Sequence, residues 1–308
     1  MTVQASVLIP THDRPETLRL AVASVLNQTV SDLEVIIIGI GATESLRAAA
    51  LDLVHADTRV SFLDRPMGSD RGEIYRHEAI LAAQSDAIFY LCDDDLLLPE
   101  HVADLLELLE SHNFVQSLNG YITPDGTVEH YPTDLAQPAS IAQHLRDDIR
   151  YNSVSLTGTA HSRLFYNQVA DPWSPTPAGQ WPDHYQWRKM MRHPAFSGAT
   201  SKRMTALQFP LTTDERNTWT AEQRRAEIER WAAVVASPGG QETIDELVVR
   251  DTWGRMEKDR VLILELDAKL AQEPARIMEL NAELERVYRS KSWRYTRALR
   301  AIRLRLPH

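Results

Sequence analysis

Short apolar segments alternate with amphipathic segments along the first third of the chain. Four segments are rich in β-branched residues, and the stretches between them repeat their apolar residues every three or four positions. The four apolar segments are ASVLIP from Ala5, LEVIIIG from Leu33, RVSFL from Arg59 and AIFYLC from Ala87. This alternation is typical of βαβ units and predicts an α/β fold, a mostly parallel sheet covered by helices on both faces.

Amphipathic helices are predicted between these strands. They span residues 15 to about 27, about 42 to 54 and about 71 to 83. A further helix is expected to begin at Pro99, because proline is tolerated in the first turn of a helix. Ligands of such sheets bind beyond the carboxyl ends of the strands, so residues that follow each strand are candidates for a site.

Beyond Phe114 the apolar pattern weakens. The segment GYITPDGTVEHY predicts a hairpin that turns at residues 124–126. Residues 134–180 are polar and interrupted by proline, so we expect irregular structure there. Helical periodicity returns after Thr213, and the Pro-Gly-Gly at 238–240 is expected to separate two helices.

A heptad pattern marks the last part of the chain. Its apolar positions are Ile263, Leu266, Leu270, Ile277, Leu280, Leu284 and Val287. The pattern is interrupted at Pro274, and it predicts a short coiled coil or a helical hairpin, with a dimer contact between two copies as one use. We therefore expect three parts: 1–210, the α/β domain; 211–255, a helical extension; and 256–308, a coiled-coil-like helix with a basic amphipathic tail.

The tail is basic and contains aromatic residues. From Arg286 to His308 there are eight Lys and Arg residues and no Asp or Glu. Such a helix can lie on an anionic membrane surface. The alternative is a solvated basic helix that packs through Trp293 on its own domain.

Composition excludes several classes of protein. The 308 residues carry a formal net charge of -10, which argues against a nucleic-acid-binding protein. Cys92 is the single cysteine, so the chain cannot form an internal disulfide or a cysteine-based zinc site. No signal-peptide pattern or membrane-spanning apolar run is found. We expect a cytoplasmic protein, either free or peripheral on the inner membrane face.

Three consecutive aspartates follow the fourth predicted strand. Asp93, Asp94 and Asp95 repel one another unless a positive group lies nearby. Divalent cations such as Mg²⁺ and Mn²⁺ prefer oxygen ligands, so a metal site is one explanation. In the other, one aspartate caps the next helix and the rest face solvent.

Several ordered motifs resemble the GT-A glycosyltransferases of the family 2 type. ASVLIPTHDRPETLRLAVASVLNQT resembles the opening strand and helix of that family, and PMGSDRGEIYRHEAI resembles its Gly-rich, Arg-containing segment. AIFYLCDDDLLLPEHV resembles its acidic metal motif. The combination and spacing are more specific than any single motif. The resemblance implies a GT-A fold, followed here by a helical C-terminal extension.

The resemblance also implies a nucleotide-sugar donor whose diphosphate is held by a divalent metal, Mn²⁺ or Mg²⁺. Asp94 and Asp95 are the implied metal ligands, and Asp93 is placed near the ribose. Arg76 corresponds to a basic residue near the phosphates, and the alternative is an arginine on the surface of a helix. The loop that surrounds the nucleotide base corresponds to Pro10, Thr11, Asp13 and Arg14.

A general base is implied in the segment GQWPDHYQWRKMMR. In this family the base is a carboxylate from an acidic pair at the start of a helix, which makes Asp183 the candidate, although Pro182 replaces the usual preceding acid. His184 is the local alternative. Nearby tryptophans either stack on an acceptor sugar or fill the core. They are Trp173, Trp181 and Trp187.

One motif departs from the family. After the second strand the family carries acidic residues, whereas this chain has IIIGIGATES, with Gly39 and Gly41 in their place. Glycine cannot supply a carboxylate, so nucleotide recognition must come from elsewhere, with Asp13 or Glu44 as candidates.

The resemblance as a whole implies an inverting, metal-dependent glycosyltransferase. It would move a sugar from a nucleoside-diphosphate sugar to a glycan or lipid-linked acceptor in cell-surface polysaccharide synthesis. The alternative is a non-catalytic subunit that binds sugar nucleotides or glycans and acts as a scaffold through its helical tail. A nucleotidyltransferase is disfavoured, because IPTHDRPE lacks a Gly-rich, basic triphosphate loop.

Overall fold

Eleven strands and nine α-helices lie in residues 3–68, 71–148, 151–210 and 215–289, which a computed structural model describes. The strands are β1 (Ala5–Thr11), β2 (Leu33–Ile40), β3 (Val60–Arg65), β4 (Ala87–Tyr90), β5 (Leu96–Leu97), β6 (Phe114–Gln116), β7 (Asn119–Ile122), β8 (Val128–Tyr131), β9 (Thr159–Ser162), β10 (Gly198–Thr200) and β11 (Ala206–Leu207). The helices are α1 (Pro15–Leu26), α2 (Glu44–Ala56), α3 (Glu73–Ala82), α4 (His101–Leu109), α5 (Pro138–His144), α6 (Arg163–Tyr166), α7 (Pro182–Met191), α8 (Ala221–Val235) and α9 (Gly240–Arg289).

A seven-stranded sheet forms the centre of the fold, in the order β10-β6-β9-β4-β1-β2-β3. The predicted strands β1 to β4 pair in parallel, with β1 between β2 and β4. β9 runs antiparallel to β4 and β6, while β10 is parallel to β6. The predicted mostly parallel sheet is therefore confirmed.

Both faces of the sheet are buried along β1, β2 and β4, which explains why these strands are predominantly apolar. Along β1, Val7 and Ile9 pack into one core with α1 and α2, while Leu8 points into a second core with α3. β2 alternates in the same way in register with β1, Val7 opposite Val35. Each fully buried aliphatic side chain contributes roughly 1.5–3 kcal/mol of transfer free energy, so this pattern strongly favours the central strands.

The three helices predicted between the strands are confirmed within a few residues. α1 begins at Pro15, and Thr43 Oγ1 caps α2 by accepting a hydrogen bond from Leu46 N at 3.3 Å. The prediction for Pro99 is wrong by two residues, because α4 begins at His101. The intervening turn is closed by His101 N, which donates to Leu98 O at 3.0 Å.

The predicted hairpin is also confirmed. β7 and β8 pair antiparallel around residues 124–126, and Gly126 adopts the left-handed φ of 82° that this turn requires. α8 follows a capping box formed by Thr220 and Gln223. α8 ends at Val235 and α9 begins at Gly240, so the predicted break between two helices is confirmed.

The chain divides into two compact units, Met1–Asp251 and Thr252–His308. α9 is helical through Pro274, so the helical-hairpin alternative is wrong. A proline removes one backbone donor from a helix, and here this loss does not end it. The heptad residues described beyond 252 are exposed, for example Ile263 and Leu284. The coiled coil, the dimer contact and the domain boundaries at 210 and 255 stay predictions.

Two predictions from the sequence concern membranes. In the described part of the chain, none of the helices combines the length and apolar character needed to cross a membrane. The basic tail from residue 290 lies outside the described residues.

Candidate active site

Seven of the nine predicted site residues line one cavity of about 460 Å³. These seven are Pro10, Thr11, Asp13, Arg14, Arg76, Asp93 and Asp94. The cavity opens where β1, β2 and β4 end, because the carboxyl ends of parallel strands meet at the same edge of a sheet. Asp95 and Asp183 do not line it.

Asp93 is buried at the floor of this cavity. Thr11 Oγ1 donates to Asp93 Oδ2 at 2.6 Å, and Arg14 Nη1 donates to Asp93 Oδ1 at 3.1 Å. Loss of solvent, together with repulsion from Asp94, raises the pKa of Asp93 to about 6 in spite of these two donors. The segment between β1 and α1 is thereby tied directly to the acidic motif.

Asp94 faces the cavity and is held by two cations. Arg14 Nη1 lies 2.9 Å from Asp94 Oδ2, and Arg224 Nη2 lies 3.2 Å from the same oxygen. The Asp94 side chain keeps 14% of its surface exposed. Its charge is thus compensated by arginines from two distant parts of the chain.

Asp95 points into the protein. Thr157 Oγ1 donates to Asp95 Oδ2 at 2.5 Å, and Phe209 N donates to Asp95 Oδ1 at 2.9 Å. Burial and repulsion from Asp94 raise the pKa of Asp95 to about 8. Asp95 therefore joins the end of the fourth strand to two later segments of the chain.

Helix capping does not account for the three aspartates. The N-cap residue of α4 is Glu100, which makes no side-chain capping hydrogen bond. Within the described ranges, no three His, Cys, Asp or Glu side chains cluster closely enough to hold a metal ion. Two carboxylates, those of Asp93 and Asp94, do face one cavity. Mg²⁺ commonly binds through one or two carboxylates plus substrate phosphates, so these residues fit a cation completed by a donor diphosphate.

Arg76 supplies positive charge to the same cavity. Its guanidinium lies 5.1 Å from the centroid of the Trp173 ring, and its Nη1 donates to Arg71 O at 2.9 Å. Its Nε is buried and has no hydrogen-bond partner among the residues that the structure describes. Burial lowers the pKa of Arg76. A buried donor without a partner is unfavourable by about 1–3 kcal/mol, which favours an anionic ligand here.

Asp183 lies in the first turn of α7 and lines a second cavity of about 360 Å³. His184 N donates to Asp183 Oδ1 at 2.8 Å, and Asn152 Nδ2 donates to Oδ2 at 3.3 Å. Burial raises the pKa of Asp183, while the nearby positive charge of Arg76 opposes the shift. Asp183 is therefore a carboxylate made more basic by its surroundings, close to the cavity that holds Arg76.

The second cavity has the composition of a carbohydrate site. Its other described lining residues are aromatic, amide, hydroxyl and proline side chains. They include Tyr121, Tyr131, Trp181, Asn119, Asn152 and Gln208. Trp173 and Trp187 belong instead to the core behind β4, and His184 lines a different cavity. Of the three tryptophans, only Trp181 is in position to stack on a ligand in this cavity.

The glycines that replace the family's acidic residues leave no room for them. A Cβ on Gly39 would lie 2.7 Å from the Phe62 ring, and Gly41 has a φ of 60° with Met67 Cβ at 2.8 Å. Ile40, between them, lines the same cavity as Asp93 and Asp94. Asp13 lines it too, whereas Glu44 does not, so Asp13 is the better placed of the two substitutes.

Sequence reasoning missed Arg224. It lies on the buried face of α8 with Ile228, Trp231 and Val235, at the spacing of successive helical turns. An arginine in an apolar stripe was a detectable signal, since such a charge needs a buried partner. The identity of that partner, Asp94, could not be read from the spacing.

Comparison with known proteins places the chain among glycosyltransferases. The model of glycosyl transferase family 2 matches residues 6–170, more than half of the 308 residues. An uncharacterized glycosyltransferase of Rickettsia bellii is 28% identical over 118 residues. That match covers 38% of this chain and only 17% of the Rickettsia protein.

Solved structures of S. aureus TarS share the fold. TarS residues 1–349 superpose with a TM-score of 0.53 at 12% identity, covering 81% of this chain and 70% of that chain. The TarS complex with UDP-GlcNAc gives a TM-score of 0.50 at 12% identity, covering 81% and 71%. The predicted GT-A fold with a helical C-terminal extension is confirmed. The sequence resemblance is confirmed as well, and the chain belongs to glycosyl transferase family 2.

Proposed function

We propose that the chain is an inverting glycosyltransferase that moves a sugar from a nucleoside-diphosphate sugar to a glycan or lipid-linked acceptor in cell-surface polysaccharide synthesis. One observation carries the proposal. A cavity that combines the carboxylates of Asp93 and Asp94 with the buried guanidinium of Arg76 lies close to a second cavity that contains the basic carboxylate of Asp183. These are the two halves that a transfer between donor and acceptor requires.

In the donor cavity, Arg76 pairs with the diphosphate and Asp94 binds the divalent cation, Mn²⁺ or Mg²⁺. When bound, the cation neutralises negative charge on the departing diphosphate. Asp95 is the second ligand predicted from the sequence, but its side chain points into the protein and does not line this cavity. Asp93 already faces the cavity, so geometry favours it for the second contact, in addition to its predicted place near the ribose.

Pro10, Thr11, Asp13 and Arg14 surround the nucleotide in this proposal. Arg14 bridges Asp93 and Asp94, so the nucleotide loop and the metal motif are held in one arrangement. TarS has been solved with UDP and with UDP-GlcNAc, which supports a nucleotide-sugar donor for a chain of the same fold.

In the acceptor cavity, Asp183 removes the proton from the acceptor hydroxyl. That oxygen forms a bond to the anomeric carbon as the bond to the diphosphate oxygen breaks and its electron pair leaves with the diphosphate. The hydrogen bonds from His184 N and Asn152 Nδ2 orient the carboxylate. In-line attack on the face opposite the leaving group inverts the anomeric centre.

A non-catalytic sugar-nucleotide or glycan-binding scaffold remains the second candidate. It is favoured by the crowded glycines at 39 and 41, which exclude the family's carboxylate from the nucleotide site. The scaffold would bind a donor without turning it over. Under either function, the basic tail would place a cytoplasmic protein on the inner membrane face, and the heptad helix could join two copies.

The first test is calorimetric titration of the protein with UDP, GDP and dTDP, each with and without Mn²⁺. We expect one nucleotide to bind in a metal-dependent manner. The double variant Asp94→Asn, Asp95→Asn should lose that dependence, while Asp52→Asn, an exposed carboxylate, serves as the control. Absence of binding by all three nucleotides to folded protein would overturn the donor site.

Two single variants and one assay refine the result. If Asp93 makes the second metal contact, Asp93→Asn weakens Mn²⁺ binding more than Asp95→Asn does. The reverse order would support the ligand pair predicted from the sequence. Release of the nucleoside diphosphate in the presence of candidate acceptors separates the two functions, because the scaffold binds the donor without releasing it.

A further inference from the structure

We propose that Arg224 is an internal cation that competes with the divalent metal for Asp94. The inference rests on the proposed metal site and adds a residue outside the segment matched by the family model, which ends at 170. Arg224 Nη2 lies 3.2 Å from Asp94 Oδ2, the oxygen that Arg14 also contacts. The arginine therefore occupies one of the two oxygens through which Asp94 could hold a metal.

The guanidinium of Arg224 is held in place independently of Asp94. Its Nη2 donates to Phe209 O at 2.7 Å, and its Nη1 donates to Glu227 Oε2 at 2.8 Å. Glu227 is itself fixed by Arg216, whose Nε donates to Glu227 Oε2 at 3.0 Å, and both of these side chains are fully buried. Arg224 is thus a positioned charge, because two of its three contacts, those to Phe209 O and Glu227 Oε2, do not involve Asp94.

A fixed positive charge beside Asp94 repels an incoming dication. Metal–oxygen distances for Mg²⁺ are about 2.1 Å, so the metal and the guanidinium would lie within a few ångströms of each other. Like charges repel each other strongly at this distance, even when the protein partly screens them. Metal binding should be weak until a diphosphate contributes further negative charge. Arg224 would make metal loading depend on the donor.

The test is calorimetric titration with Mn²⁺, first alone and then in the presence of saturating UDP. We expect Arg224→Gln to bind Mn²⁺ alone at least about tenfold more tightly than the unaltered protein. The added effect of UDP on Mn²⁺ affinity should shrink in the same variant. Thermal unfolding followed by circular dichroism checks that the variant is folded.

Arg225→Gln is the matched control. Arg225 is the next residue of α8, and together with Arg224 it lines a groove between α1 and α8. It pairs only loosely with Glu229, at 3.8 Å. The Arg225→Gln variant loses one positive charge but keeps the contacts of Asp94. The Mn²⁺ affinity of this variant should equal that of the unaltered protein. Arg224→Met, which keeps an apolar stem of similar length in the buried site, repeats the measurement if the glutamine variant does not fold.

Three results would overturn the inference. Equal shifts in Arg224→Gln and Arg225→Gln would assign the effect to overall charge. Unchanged or weaker Mn²⁺ binding in Arg224→Gln would show that the arginine does not compete. If no form of the protein binds Mn²⁺, with or without UDP, the proposed metal site itself fails. If Mn²⁺ binds but Arg224→Gln does not raise its affinity, only the competition by Arg224 fails and the metal site stands.

Discussion

Asp183, the proposed general base, illustrates how the environment of one residue sets the conditions under which a reaction would proceed. Burial raises the pKa of its carboxyl, so more of it is protonated at a given pH than for an exposed aspartate. A general base must be unprotonated to act. Activity is therefore lost as the pH falls through this raised pKa, at a higher pH than the ordinary value of about 3.9.

This prediction is checked by measuring kcat/KM against pH. We expect the acidic limb to lie above the range of an unperturbed aspartate, and Asp183→Asn to lower kcat by about 10²–10⁴-fold. Asp147→Asn provides the control, because Asp147 is 85% exposed and bonds to Arg188 away from the acceptor cavity. An acidic limb that persists in residual Asp183→Asn activity would assign the titration to another group.

Asp95 predicts a pH dependence of stability instead. Its pKa is about 8 in the folded protein and about 3.9 in an unfolded chain, so the folded state binds the proton more tightly. The resulting stabilisation is complete below about pH 4 and is lost as the pH rises through about 8. In Asp95→Asn this contribution disappears.

Urea unfolding in EDTA at about pH 5 and pH 8 measures the effect. The free energy of unfolding of the unaltered protein, relative to Asp95→Asn, should fall between the two pH values. Asp52→Asn should show no such relative change, because this side chain is 65% exposed. If the free energies of unfolding of the unaltered protein and of Asp95→Asn differ by the same amount at both pH values, the raised pKa of Asp95 is contradicted.

Secondary-structure elements with a strong hydrophobic period or a clear turn signal were predictable from the sequence, whereas a strand held by pairing with distant segments was not. β1, β2 and β4 are buried apolar runs, and their parallel arrangement brought seven predicted site residues to one cavity. β9 has the sequence TAHS and contains no apolar run. It nevertheless lies in the sheet between β4 and β6. Its place depends on pairing with β6, 43–47 residues away, and with β4, 71–75 residues away, which a local pattern does not encode.

The same distinction applies to the site. The sequence located the acidic motif, but the orientations of its three side chains depend on contacts with distant segments. Asp95 turns inward because Thr157 and Phe209 supply its donors. Asp94 meets Arg224, which is 130 residues away. Spacing along the chain can identify a charged residue on a buried face, but not the group that it meets.

The junction between α8 and α9 brings Gly240 against the end of α8. A Cβ on Gly240 would lie 2.3 Å from Val234 O, so the two helices can approach only because this residue is glycine. We expect Gly240→Ala to lower the free energy of unfolding by about 1–3 kcal/mol.

Gly254→Ala is the matched control on the same helix. A Cβ at Gly254 meets nothing within 4 Å, so alanine should be neutral or stabilise the helix by about 0.5–1 kcal/mol. Urea unfolding of both variants measures the contrast. Equal effects would show that helix propensity, rather than the close approach at Val234, decides the outcome.

For the whole molecule, the distribution of charge matters more than its sum. The net charge of -10 includes eight positive charges and no acid in residues 286–308, so residues 1–285 carry -10 - 8 = -18. A uniformly acidic protein would be repelled by an anionic membrane. A segregated basic segment can still bind one, at about 1 kcal/mol per basic residue near the surface.

We therefore expect the full chain to sediment with vesicles that contain phosphatidylglycerol and not with phosphatidylcholine alone. Replacing Lys291, Arg294, Arg297, Arg300, Arg303 and Arg305 by glutamine should abolish binding, and added salt should weaken it, because the attraction acts within a Debye length. Replacing Lys258 and Arg260 in α9 serves as the control, since both precede the basic segment. Equal binding to neutral and anionic vesicles would favour insertion of the aromatic residues over charge. Loss of vesicle binding with donor binding retained would show that the tail binds the membrane surface without taking part in the proposed donor site.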